Sequence, residues 1–241
     1  MIELRTLGGV DLRVRGGAEL GAVIQQPKRL ALLTYLAIAA PGRFVRRDTL
    51  LGLFWPKLDA EHARGALRRS LYFLRQALGE DVLIGRGEEE VGLAEGSLWC
   101  DAVAFREAAK AGRLAEALEL YQDDLLPGFY VAGAPDVEDW LDRERRRLRD
   151  DALGAARSLA RAATRPGDAS QWARRALTLD PDDAGMRALL LSAPAPSPLP
   201  TPASPLPSFP PSPLLLAICP FTIRGPSRLG FLAEGMVDLL A

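Results

Sequence analysis

Between Asp59 and Gly79 the chain reads DAEHARGALRRSLYFLRQALG, and the recurrence of Leu67, Leu71, Leu74 and Leu78 at four-three-four spacing predicts one amphipathic helix. Such a helix must bury its apolar stripe against neighbours and leave the rest in water. The face turned away from the leucines carries His62, Gly65, Arg69, Tyr72 and Gln76, while Arg64, Arg68 and Arg75 lie along the flanks. The rest of the chain therefore has to accommodate a helix that buries leucine and presents arginine.

With 241 residues, 48% of them hydrophobic and 25% charged, the chain exceeds one average domain and has ordinary globular composition, so two domains are expected. The net charge of -1 hides an asymmetry. Pro27 to Gly87 holds 11 Lys or Arg against 5 Asp or Glu, a net +6, and Glu88 to Leu191 holds 14 against 21, a net -7. A basic module is followed by an acidic one. Cys100 and Cys219 are far apart and there is one His, which argues against a disulfide framework and a metal site and fits a reducing cytoplasm. The start, MIELRTLGG, lacks the apolar core of a signal peptide, and the late apolar run Leu214 to Cys219 is too short to span a bilayer. A soluble, cytoplasmic protein is expected.

In chain order, alternation over Glu3 to Val14, broken at Gly8-Gly9, predicts a two-stranded hairpin, and Ala22 to Gln25 is expected as a third strand. Pro27 opens a helix that continues over Lys28 to Ala40 and stops at Pro41-Gly42. A second, short helix covers Arg47 to Phe54, with Asp48 near its positive end, and Trp55-Pro56 closes it. Asp59 caps the third helix. Val82 to Ile84, the turn GRGEEE and Val91 to Leu93 then predict a hairpin with Arg86 at its tip.

Strands, three closely spaced helices and a hairpin follow in the order of a winged helix-turn-helix, whose third helix enters the DNA major groove. The segments PKRLALLTYLA, RRDTLLGLFWP and the pattern of Leu67, Arg68, Leu71, Leu74 and Arg75 resemble the DNA-binding domain of the Streptomyces antibiotic regulatory protein family, a relative of the OmpR-type winged helices. Surface arginines are ordinarily just a solvated face. Here the resemblance brings Arg46, Arg47, Lys57, Arg64, Arg68, Arg69, Arg75 and Arg86 to one side of the fold, where one duplex could meet them. Arg69 and Tyr72 are the candidates for base edges, since a guanidinium can pair twice with guanine. Arg64, Arg68 and Arg75 are assigned to phosphates. The chain departs from the family's commoner Ser-x-Leu-Arg ending at Tyr72 and Phe73, so a base preference does not transfer, and Phe73 could equally pack against the wing. His62 is read as a helix-surface residue.

From Asp101 the sequence becomes Ala-rich and helical over Asp101 to Ala111, Arg113 to Leu125, Asp136 to Ala163, Asp168 to Leu179 and Asp183 to Leu191. RLAEALELY and WARRALTLDPDD carry the punctuation of tetratricopeptide-like hairpin repeats. With LLPGF at Leu125 to Phe129 and the Trp140 to Arg149 helix, this half resembles the bacterial transcriptional activator domain of the same family, which implies self-association and contact with RNA polymerase. The charge run Glu144 to Arg149 reads as a solvated face rather than a second DNA contact. In Ser192 to Pro213, 10 of 22 residues are proline, the composition of an extended spacer. LLLAICPFTIRGPSRLGFLAEGMVDLLA then resembles the opening strand and helix of a TolB-like α/β module.

The expected organisation is mainly α with small β: a winged helix-turn-helix at 1–98, an all-α tetratricopeptide-like repeat domain at 99–191, a proline-rich linker at 192–213, and the start of a third α/β module at 214–241. There is no GxxxxGK[ST] loop, no GxSxG and no paired His and Cys, so neither an enzyme nor a cofactor is expected. The functional expectation is a sequence-specific, DNA-binding transcriptional regulator of activator type. Its partners would be double-stranded promoter DNA bearing repeats, RNA polymerase and a second copy of itself, without a membrane. The competing reading is a protein-interaction adaptor whose winged helix has lost DNA.

Overall fold

The computed structural model describes residues 1–192, in which helices predominate over two three-stranded sheets. The linker after Ser192 and the expected third module lie outside the described residues. Strands β1 (Ile2–Arg5) and β2 (Asp11–Val14) form the hairpin that alternation predicts, pairing Leu4 with Leu12, both fully buried. Ala22 to Gln25, expected as a strand, instead belongs mostly to α1 (Gly21–Ile24), a single helical turn that buries Val23. The sheet explains the difference. Its middle strand β1 has β2 on one edge and β6 (Leu98–Cys100), running parallel, on the other, and the outer edge of β2 is already met by the residues just before α1, through the Arg13–Glu19 bridge and the Leu20 N–H donating to the Leu12 carbonyl at 2.8 Å. Three-residue strands such as β6 and β3 (Phe44–Arg46) give no readable alternation, and neither was expected.

Helix α2 (Pro27–Ile38) starts with proline where the missing N–H costs nothing and buries Leu30, Leu32, Leu33 and Leu36. Helix α3 (Arg47–Phe54) follows β3, and α4 (Ala60–Leu78) is the helix of the leucine stripe. Asp59 caps it, accepting from the backbone N–H of Glu61 and His62 at 3.1 and 3.0 Å. The His62 N–H, then the His62 ring 2.6 Å from Oδ2, hold the Asp59 carboxyl below its ordinary range. Leu67, Leu71, Leu74 and Leu78 are all buried, each contributing about 1.5–3 kcal/mol. Phe73 lies beneath the guanidinium of Arg29, 3.9 Å from its ring centre, so it ties α4 to α2. Strands β4 (Leu83–Arg86) and β5 (Glu90–Leu93) form the expected second hairpin, and β3 adds to its β5 edge.

Beyond Cys100, α5 (Asp101–Lys110), α6 (Leu114–Leu120), α7 (Pro135–Ala162), α8 (Pro166–Leu179) and α9 (Ala184–Ser192) each pack on the next. Buried alanines on α7 and α8, among them Ala152, Ala156, Ala173 and Ala176, keep side chains small in these helices. Helix α6 ends five residues before the expected Leu125. Tyr121 is buried there, its hydroxyl donating to Asp124 at 2.8 Å, and the segment after it pairs Leu125 with Leu7 of the first hairpin's turn. Gly8 in that turn has φ +89°, and a Cβ on it would stand 2.8 Å from the Cβ of Gln122. The close approach requires glycine.

Charges in the run Glu144 to Arg149 divide between a solvated face, with Arg146 and Arg147 exposed, and a set that has partners. Glu144 pairs with Arg106 of α5, Arg145 donates to the carbonyls of Leu125, Leu126 and Phe129 at 2.9 to 3.1 Å, and Arg149 lies 3.4 Å from Asp124. Arg157 joins α7 to the Asp-Pro turn after α8 through Asp180 and Asp183, at 2.9 and 2.5 Å. One buried core runs through all of this, with Tyr35 of α2 and Trp140 of α7 in edge contact at 4.9 Å. Strand β6 spans the position where the sequence puts the boundary between its first two domains, and it leads straight into α5.

Cys100 at that junction is 4% exposed, and burial together with the neighbouring Asp101 carboxylate pushes its thiol up to about 12. A thiol in that state offers almost no thiolate at neutral pH. In a Cys219→Ser variant, labelling of Cys100 by a thiol-specific disulfide reagent at pH 8 is expected to be slow while the protein is folded and fast in urea, tracking global unfolding. Rapid native-state labelling would contradict this placement.

Candidate nucleic-acid interface

The charged site is built from α3, α4 and the β4–β5 turn. Arg47 opens α3, where its backbone N–H donates to the Glu89 carbonyl at 2.7 Å and so fixes the helix start to the hairpin. Arg64 and Arg68 are one helical turn apart on α4, both exposed. Together with Leu51 and Leu67 at its base, these three arginines line an open groove of about 580 Å³ whose remaining wall is Asp48, Gly87, Glu88 and Glu89. None of the three guanidiniums has a carboxylate within salt-bridge distance among the described residues. The Arg47 Nε is moreover buried without an acceptor in reach. The donors open to an anion docking in the groove are the exposed side chains of Arg64 and Arg68.

The other expected contacts are distributed differently. Tyr72 is 63% exposed on the outer face of α4. Arg69 is exposed too, but it lies back along the helix, its Nη1 3.4 Å from where a Cβ on residue 65 would stand. Gly65, expected on the outward face, is consequently buried, with the Arg69 side chain over it. Arg75 is half-buried, and its Nε donates to the Leu83 carbonyl at 2.9 Å, fastening α4 to β4. Arg86 ends β4 opposite Glu90 and is not at the tip, which is Gly87 to Glu89. It stacks over Phe44 at 4.8 Å, and it holds the Glu90 carboxyl below the usual carboxylate range from 2.5 Å. Arg46 is exposed, 3.8 Å from Asp48, and Lys57 is exposed in the α3–α4 turn, outside the lining of the groove.

Arg47, Arg64 and Arg68 thus line one groove, Arg69 and Tyr72 lie on α4 outside its lining, and Arg75 and Arg86 already have partners within the fold. Sequence reasoning overlooked the acidic members of the groove. The Glu88–Glu90 run in a turn flanked by arginines is the signal that could have found them. Among the described residues no group of three or more His, Cys, Asp or Glu could hold a metal, and no helix is long and apolar enough to cross a membrane. Comparison of the chain with protein-family models gives no match, and a search of curated proteins likewise gives no significant match.

Proposed function

We propose that this protein is a sequence-specific, DNA-binding transcriptional regulator that lays the exposed face of α4 in the major groove of a duplex. The observation that carries the reading is the groove in which Arg47, Arg64 and Arg68 converge without carboxylate partners. Three guanidiniums that line one groove without forming an ion pair there keep their donors open to a phosphate backbone, which supplies strong acceptors and releases counterions on contact. The succession of α2, α3, α4 and the β4–β5 hairpin supports a winged helix-turn-helix of OmpR type, with β3 extending the wing on its β5 edge. Arg69 then swings off Gly65 to reach base edges beside Tyr72.

Helices α5 to α9, each packed on the next, support a tetratricopeptide-like repeat region similar to the activator domain of the Streptomyces antibiotic regulatory proteins. In this reading the protein acts in the cytoplasm, on promoter repeats, as a homodimer that contacts RNA polymerase. Selection of bound sites by the full chain from random duplex DNA tests it: a recurrent motif enriched over several rounds is the expected result, and an unenriched pool with no retained DNA would remove the reading.

One observation favours a second reading, the protein-interaction adaptor. A shallow groove of about 760 Å³ between α6 and α8 is lined by Leu118, Trp172, Arg174 and Arg175 among others, an arrangement suited to an acidic, apolar peptide. Stoichiometric co-purification of one protein free of nucleic acid would favour it.

A further inference from the structure

Resting on the DNA-binding reading, we propose that the groove of Arg47, Arg64 and Arg68 seats a single backbone phosphate and that Glu88 and Glu89 are its electrostatic gate. The acids line the same groove as the three arginines, yet neither carboxylate comes within salt-bridge distance of a guanidinium among the described residues. They lower the positive potential of the seat without filling it. A phosphodiester entering the groove meets the guanidiniums of Arg47, Arg64 and Arg68 and has to approach two like charges to do so.

The position of the gate is fixed by backbone rather than by side chains. The Glu89 carbonyl accepts from the Arg47 N–H at 2.7 Å, and Glu90 beside it is held by Arg86. Replacing the two exposed carboxylates with amides consequently leaves the turn, the hairpin register and the helix start as they are. The chemical class of occupant follows from the same balance. A weakly held monoanion gains little from three guanidiniums offset by Asp48, Glu88 and Glu89, while a phosphodiester in a polyanion brings strong acceptor oxygens and the rest of the duplex with it. The gate makes the seat selective for phosphate presented by an extended backbone.

The test is duplex binding of the full-length wild type, Glu88→Gln/Glu89→Gln, and the control Asp150→Asn/Asp151→Asn, followed by anisotropy of a labelled random-sequence duplex from 50 to 200 mM salt. The control changes net charge equally through two exposed acids in the middle of α7. Two exposed like charges beside a phosphate are each worth a few-fold in affinity at low salt, so at 50 mM salt the gate variant is expected to bind about tenfold tighter than wild type and the control about twofold or less. Adding Arg47→Gln is expected to abolish most of the gate variant's gain. If wild type binds with its full salt dependence and the gate variant is no tighter than the control, the gate is wrong while the DNA reading stands. If wild type, gate variant and control all fail to bind, the DNA reading falls and the gate with it.

Discussion

Asp101→Ala is expected to lower the unfolding free energy by about 3–5 kcal/mol, because it strands several buried donors at once at about 1–3 kcal/mol each. The carboxylate is 4% exposed. It accepts from the Thr6 N–H at 2.9 and 2.8 Å, from the Thr6 hydroxyl at 2.8 Å, from the Leu7 N–H at 2.9 Å and from the Ala102 N–H at 2.8 Å. No cation pairs with it among the described residues. Its charge is carried by backbone donors and by its place in the first turn of α5, where the helix dipole favours an anion. Because Thr6 and Leu7 directly follow β1 and Asp101 opens α5, the carboxylate joins the two halves of the fold. A urea titration should show the midpoint fall. Hydrogen exchange should show Thr6 and Leu7 losing protection ahead of α4. Asp101→Asn, which retains one acceptor but turns an NH2 toward the same donors, is expected to fall between alanine and wild type. A midpoint within error of wild type for Asp101→Ala would mean that the sheet and α5 hold together without it.

The second large effect is on binding. Arg64→Glu/Arg68→Glu is expected to weaken duplex binding by about 100-fold at low salt, two charge-assisted contacts being worth about 3 kcal/mol together. It should also flatten the log-log salt slope by about 2. Both side chains are exposed and without ion-pair partners among the described residues, so the double variant should unfold within about 0.5 kcal/mol of wild type. Reversing Arg75 is expected to behave in the opposite way, lowering stability more than binding, since its Nε holds the Leu83 carbonyl. That contrast separates an arginine facing solvent from one that fastens two elements.

The helices around the site were readable because each carries its own signals. Proline at the start of α2, the Asp59 cap and the four leucines of α4 act within a turn or two of themselves, and their outcome matches the expectation closely. Features that depend on a distant partner were not readable. Strand β6 exists because β1 lies beside it, α1 begins where Glu19 and Leu20 have already taken the outer edge of β2, and Asp101 has its role only because Thr6 and Leu7 arrive from 95 and 94 residues away. The same limit applied to the site. Helical spacing located Arg64, Arg68, Arg69 and Tyr72 on α4, but it could not see that Arg75 reaches the hairpin, that Arg69 covers Gly65, or that Arg47 and the glutamates of the turn share a groove with the helix.

Cations held for a polyanion must show themselves in one titration, the affinity of the full chain for duplex DNA as a function of salt. With about six phosphates neutralised, the log-log slope should be about -5. A slope near zero, or no binding to any duplex at low salt, would contradict it.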